Sequence, residues 1–427
     1  MKIKHLLSAL SLMLLPMMVQ AQTIYYVKSS MAASGSGTGW NMAFKTLQEA
    51  LSVVTSGDQI WVAAGTYYPD EGGAFADNDR QAHFSMKEGV KIYGGFEGNE
   101  TLFSNRNWKT NLTILSGDID KNDGVDFSNT TNNTFRIIVN NNNGLTAAAV
   151  LDGFTISDGN ADDSNNGFKG GGIDNTNVSP SIVNCSFLRN KSNFGGGGLY
   201  NTDSAPTIIN CIFSGNSAPT GGAIRNYNSD ATIINCVFSG NNTSNTGGGM
   251  YISESSPTLI NCTFSGNNAS EAGAVYVFSN SEAIFKNCIF WGNSSEVGLN
   301  NSLPITYSHC LIQGVNLTTI GTGNLNGTNA ANNPNFISPL SFTGAPTTAG
   351  NLRLSFCSPV RNRGNNADNS TTTDLDGNAV AGVAVNVHAA RLDWKFVKGQ
   401  WQQEAVDGQD CQLTSTKEPL TCTFATK

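Results

Sequence analysis

Charged side chains are scarce in this chain. Asp, Glu, Lys and Arg make up 13% of its 427 residues, and histidine occurs 4 times. The formal net charge is −8, which excludes a basic surface built for nucleic acid. With so few histidines, of which only His309 falls near the repeating cysteines, a metal on those cysteines is not expected. After residue 21 no apolar run approaches the roughly 20 residues that span a bilayer. Helical periodicity is missing from most of the chain as well. What the chain has in excess is glycine, 46 residues, set among short aliphatic runs and clusters of Asn and Ser. Aliphatic runs broken by such clusters argue for β-structure.

Five segments repeat the pattern Asn-Cys-x-Phe-x-x-Asn. The cysteines are Cys185, Cys211, Cys236, Cys262 and Cys288, at steps of 26, 25, 26 and 26. Asparagines 184, 210, 235, 261 and 287 precede them; Phe187, Phe213, Phe238, Phe264 and Phe290 follow; Asn190, Asn216, Asn241, Asn267 and Asn293 close each unit. A glycine-rich step into an aliphatic residue recurs in phase at Ile173, Leu199, Ile224, Met250 and Val275. A fixed period in this range means one unit stacked on copies of itself. Two or three short strands and as many bends per unit of about 25 residues predict an all-β fold, a right-handed parallel β-helix with coils about 4.8 Å apart.

Residues 1–21 read as a secretion signal: Lys2 and Lys4, an apolar stretch from Leu6 to Val19, and a small-residue site ending at Ala21. Its removal would leave a charge of about −10. No cysteine follows that site, so no lipid anchor is expected there. In an exported chain nine cysteines would ordinarily suggest disulfides. Cysteines at one position of successive coils instead form an inward column, and parallel in-register side chains do not give the roughly 90° torsion of a disulfide. The column is therefore read as reduced, buried thiols. Cys357, Cys411 and Cys422 fall outside it, and a Cys411–Cys422 bridge stays open.

An open solenoid end needs a cap. Residues 22–66 supply one: a strand at Ile24 to Val27, a glycine-serine loop, then Thr46-Leu47-Gln48-Glu49, a capping box that opens a helix. Leu47, Ala50, Leu51 and Val54 share one face of it. Residues 67–160 read as irregular early coils with strands at Val90 to Tyr93, Thr113 to Leu115 and Phe135 to Val139. Residues 161–378 read as regular and closing coils, and 379–427 as a divergent tail.

The run Tyr25, Gly39-Trp40, Leu47-Gln48-Glu49-Ala50, Gly57-Asp58 and Trp61-Val62-Ala63-Ala64-Gly65-Thr66-Tyr67 resembles the start of secreted bacterial right-handed β-helix proteins of the choice-of-anchor Q type. Ile92-Tyr93-Gly94-Gly95-Phe96-Glu97-Gly98, Arg106-Asn107-Trp108 and Leu115-Ser116-Gly117-Asp118 continue the likeness. So do Asn333-Pro334-Asn335-Phe336, Leu352-Arg353-Leu354, Ser358-Pro359 and Asp374-Leu375-Asp376-Gly377-Asn378. The Gly-Gly-Ala-Ile and Phe-x-x-Asn elements of the middle are similar to the repeats of chlamydial polymorphic outer-membrane proteins, which are surface adhesins. The resemblance implies the fold and export, with no particular activity. The family ends in Asp-x-Gly-Ala-Tyr-Glu; here the matching stretch is Asn386-Val387-His388-Ala389-Ala390-Arg391, and the anchor the family implies lacks its mark.

Strand alternation locates an outer face. If Ile173, Leu199, Ile224, Met250 and Val275 point inward, the next residues point out: Asp174, Tyr200, Arg225, Tyr251 and Tyr276. Two residues on lie Thr176, Thr202, Tyr227, Ser253 and Phe278. The first column runs about 19 Å over four coil steps. Aromatic rings stepping along a groove suit stacking on sugar rings, and Arg225 between two tyrosines suits a carboxylate. The alternative is an aromatic ladder that only ties coils together. A hydrolase needs two carboxyls across the scissile bond; Asp203 and Asp230 occupy related turns, while Asp174, Glu254, Glu271 and Glu282, with Arg189, Lys191, Arg225 and Lys286, are scattered over different columns, and no catalytic residue is assigned. Asp118, Asp120, Asn122 and Asp123 resemble a calcium loop, with Gly124 one place late for an EF-hand. Asp374 and Asp376 are a second such place.

The sequence thus predicts an exported, monomeric β-helix without a transmembrane helix, extracellular or at the outer-membrane surface. Its expected role is non-catalytic binding of a polysaccharide or a host-surface ligand, with calcium as an optional cofactor. A polysaccharide lyase or glycoside hydrolase, and a purely structural stalk, are the alternatives.

Overall fold

The computed structural model describes residues 22–124, 128–163, 167, 169–300, 304–355, 358–361, 363–368, 375, 394–397 and 400–403. Three parallel sheets of ten, nine and seven strands wind around one core. Chain crossovers between parallel strands are right-handed, and the molecule is a right-handed parallel β-helix. The first sheet runs from Ile24–Val27 to Thr306–Ser308, the second from Gly65–Tyr67 to Leu311–Ile312, and the third from Ile138–Asn141 to Val297–Asn300. One regular coil shows the order: Leu199–Thr202 in the third sheet, Thr207–Ile209 in the first, Ile212–Ser214 in the second.

The repeat pattern becomes four stacks. Phe187, Phe213, Phe238, Phe264 and Phe290 are fully buried, with neighbouring ring centroids 4.5, 5.0, 4.3 and 5.0 Å apart. The column thiols are free and buried, and Cys310 adds a sixth rung. Each donates to backbone, as Cys211 Sγ does to the Ile209 carbonyl at 3.3 Å. Burial pushes the Cys185, Cys211 and Cys310 thiols up, which keeps them protonated and inert. The asparagines before the cysteines sit at positive φ, between 52° and 57°. Asn tolerates that left-handed corner, and its amide reaches the coil behind, as Asn235 Nδ2 does to Asn210 Oδ1 at 2.6 Å. The second asparagine column donates the other way: Asn241 Nδ2 lies 2.8 Å from Asn267 Oδ1 and 2.9 Å from the Phe213 carbonyl. These amides satisfy buried backbone groups at the bends.

A further ladder, Asn140, Asn175, Asn201 and Asn226, runs through the core face of the third sheet with Nδ2 to Oδ1 distances of 3.0, 3.0 and 2.8 Å. This ladder leaves no full repeat in the sequence, because Ile252 and Val277 take its place in later coils.

The helix Leu47–Val53 carries the expected capping box, with Leu47, Ala50, Leu51 and Val54 buried. The strands flanking it, Ile24–Val27 and Gln59–Ala63, pair with each other, so residues 22–66 form the first coil with the helix in its loop. The early strands are Lys91–Phe96, Thr113–Ser116 and Ile138–Asn141. The last lies later than the expected Phe135 to Val139, because Phe135 instead faces the guanidinium of Arg80, 4.1 Å from its ring. At the far end a loop replaces the next coil: the Cys310 amide donates to Asn324 Oδ1 at 2.7 Å, and the Leu325 amide to the Cys310 carbonyl at 2.9 Å. The chain then returns over the outer face of the second sheet as an antiparallel pair, Phe336–Ser338 with Asn351–Leu354. Phe336, Leu352, Leu354 and Val360 pack there on Val237, Ile289 and Leu311. In the tail, Trp394–Val397 pairs antiparallel with Gln400–Gln403. Among the described residues no helix is long and apolar enough to cross a membrane.

Candidate functional site

The outward column of the third sheet is in register: Asp174, Tyr200, Arg225, Tyr251 and Tyr276 are direct partners in successive strands. Most of it is covered. Asp174, Tyr200 and Tyr276 are buried, while Arg225 and Tyr251 are half-buried. Asp174 pairs with Arg136 at 3.2 Å, and burial still holds its carboxyl above the usual range against that pull. Tyr251 and Tyr276 stack at 5.7 Å. The Arg225 guanidinium lies 5.5 Å from the Tyr200 ring, 5.1 Å from Tyr251 and 5.3 Å from Phe194. The column is thus a cation–aromatic stack, with most ring faces engaged by neighbours.

The aspartate loop folds on itself. Asp118 accepts from the backbone amides of Asn122 at 3.0 Å and Asp123 at 3.3 Å. Asp120 accepts from the side chains of Asn122 and Asn132, and Asp123 accepts from Asn133 Nδ2 at 2.7 Å. Burial and the neighbouring Asp118 raise Asp120; burial, Asp118 and Asp158 push Asp123 up to about 6. Among the described residues no group of three or more His, Cys, Asp or Glu side chains is arranged to hold a metal ion. Asp374 and Asp376 lie outside the described residues, as do residues 1–21, Cys357, Cys411 and Cys422. The scattered charges of the regular coils serve the turns: Asp203 accepts from Asn228 at 2.6 Å, Asp230 from the Ser256 amide at 2.6 Å, and Lys286 pairs with Asp368 at 2.9 Å.

A cleft of about 580 Å³ opens on the outer face of the second sheet, between the loop around Trp108 and the returning segment 348–353. Its loop wall is fixed from beneath. Arg106 pairs with Asp152 at 2.6 Å and bonds the Gly94 carbonyl, and the Asn107 amide donates to the Gly95 carbonyl at 2.9 Å. Gly95 has φ 93°, and a Cβ there would stand 2.4 Å from Trp108 Cα. Only glycine lets the tryptophan's backbone approach so closely. The opposite wall is held by the Thr347 amide on the Gly240 carbonyl at 2.9 Å and by Ser214 Oγ on the Thr347 carbonyl at 3.2 Å.

The floor carries Thr155, Ser186, Ser214 and Ser239 beside Ile212 and Val237; the walls carry Trp108, Lys109 and Arg353. No Asp or Glu appears among the described residues that line it. The size fits a few sugar rings. An indole presents an apolar face to a sugar ring, hydroxyls bond its hydroxyls, and cations meet a carboxylate. The sequence reading reaches Trp108 and Arg353 only as motif residues. What brings them together is the return of the chain over the second sheet, a contact more than two hundred residues apart that no local pattern encodes.

The right handed beta helix region family matches residues 198–380. The crystal structure of pectate lyase Pel9A is similar at 13% identity and a TM-score of 0.47, covering 83% of this chain and 96% of that one. A rhamnogalacturonan lyase is similar at 11% identity and a TM-score of 0.32, covering 78% and 97%. At this level of likeness neither enzyme's chemistry transfers to this chain. No curated protein matches.

Proposed function

We propose that this chain is an exported β-helix that binds an acidic polysaccharide, without cleaving it, in the cleft beside Trp108. The observation that carries the reading is the lining: an indole, two cations and a row of hydroxyls, with no carboxylate among the described residues. Hydrolysis of a glycosidic bond calls for two carboxyls, and none stands among the described residues of the lining. The secretion signal and the resemblance to surface β-helix proteins agree with a role outside the cell. A lyase is the second reading, because Lys109 and Arg353 are the kind of basic groups that elimination next to a uronate requires.

Affinity electrophoresis in gels containing acidic or neutral polysaccharides, with and without calcium, tests both. Retardation by the acidic glycan alone, clearly weakened by Trp108→Ala, is the expected result. Cleared polysaccharide around the band would make the protein a lyase. Equal retardation of the wild type and Trp108→Ala would remove the cleft from the account.

A further inference from the structure

On a chain of net charge −8, the outer face of the third sheet gathers positive charge. Lys169 and Arg225 both face Tyr200, and Asp174, its partner in the preceding strand, is engaged by Arg136 at 3.2 Å. Lys169 Nζ lies 5.0 Å from the Tyr200 ring and 5.4 Å from Phe194, the two rings that also face Arg225. Its charge reaches Asp174 through space and helps hold that carboxyl down. Arg225 has one hydrogen bond, Nη1 to Thr220 Oγ1 at 3.0 Å, and its buried Nε has no partner. Among the described residues it has no ion pair. Asp203, at the corner, is held by Asn228. Glu271 stands exposed two coils along the Thr220 column, roughly 10 Å away.

Two cations packed on the same pair of rings repel each other, and a half-buried guanidinium with an unmet donor is costly. An oxyanion at the outer edge of these rings meets the remaining guanidinium donors and draws on both charges. Phe194 is 42% exposed and Tyr227 36%, which leaves an apolar rim beside the charges. We propose that Arg225 and Lys169 form a second binding site, remote from the cleft, for the carboxylate or sulfate ester of an acidic glycan. The inference rests on the glycan reading in taking a sugar acid as its ligand. Recognition comes from the planar guanidinium, fixed by Tyr200 and Tyr251 on its flanks, with the lysine supplying a second charge.

Calorimetric titration of the Trp108→Ala protein isolates this site, since the cleft is then disabled. The probes are a galacturonate trisaccharide, a sulfated galactan trisaccharide and a neutral galactan trisaccharide. One or both charged probes should bind and the neutral one should not; which charged probe binds tells carboxylate from sulfate. Adding Arg225→Gln or Lys169→Gln should weaken that binding roughly tenfold or more. Lys169→Gln lies outside the strands and guards against a folding defect at Arg225. Absence of binding to the Trp108→Ala protein, or unchanged affinity in both double variants, overturns the second site. Neither result touches the cleft, whose own test is the effect of Trp108→Ala on the wild type.

Discussion

Single residues in this fold are judged by the column they stand in. Glu296 shows what happens where a column ends. Asn293 Nδ2, with no further asparagine to meet, donates to Glu296 Oε2 at 2.6 Å. Burial pushes this carboxyl up to about 7, from an ordinary 4.5, and the Asn293 bond only partly opposes the rise. A folded-state value above the unfolded one means stability that is full below pH 4.5 and lost as pH rises through about 7. Glu296→Gln keeps an acceptor for Asn293 and removes the charge. Its melting temperature should exceed the wild type's above pH 7, with the gap closing towards pH 4.5; a constant gap across that range would sink the argument. At this scale the sequence is legible wherever a residue type repeats. Cys310 escapes because its step shortens to 22, and histidine replaces the asparagine before it. His309 nonetheless takes the same left-handed corner, at φ 53°.

Strands and corners come next, and here the sequence is most informative. Three or four residues of strand cannot hold themselves together; each is stable because the coils on both sides supply its hydrogen bonds. The in-register pairing of Phe213 with Phe238, and of Phe238 with Phe264, follows directly from the spacing of 25 and 26 residues. Asn241→Ala tests the bend. It strips partners from the Asn216 amide and side chain, from Asn267 Oδ1 and from the Phe213 carbonyl, all of them buried. Leaving several such groups unpaired should cost about 3–5 kcal/mol in denaturant unfolding. A loss below about 1 kcal/mol would mean that water enters the bend and replaces the amide. The outward column is the element whose position follows from the sequence while its exposure does not. Alternation places Tyr200 and Tyr276 outside the core, but Phe194, Lys169 and their stacked neighbours cover them.

The whole molecule is a stack stopped at both ends, by the helix Leu47–Val53 at one and by the loop carrying Asn324 at the other. Ten strands of the first sheet set nine steps, roughly 43 Å of axis. Within the coils themselves contacts pass between neighbours, so opening starts at a stopper and travels inward. The six buried thiols among the described residues make this measurable. Under native conditions a thiol reagent should reach Cys310 first and Cys288 next, with Cys236 and Cys185 markedly later. One common rate for all six would show that the helix opens in a single step. The return of the chain from Phe336 to Leu354 across the second sheet is the part least written in local sequence, and it builds the cleft. The thiols have a use beyond that experiment. Spaced one per turn and silent while covered, they are graduations on a measuring rod, and the set of cysteines modified in a sample reads out how many turns had come undone.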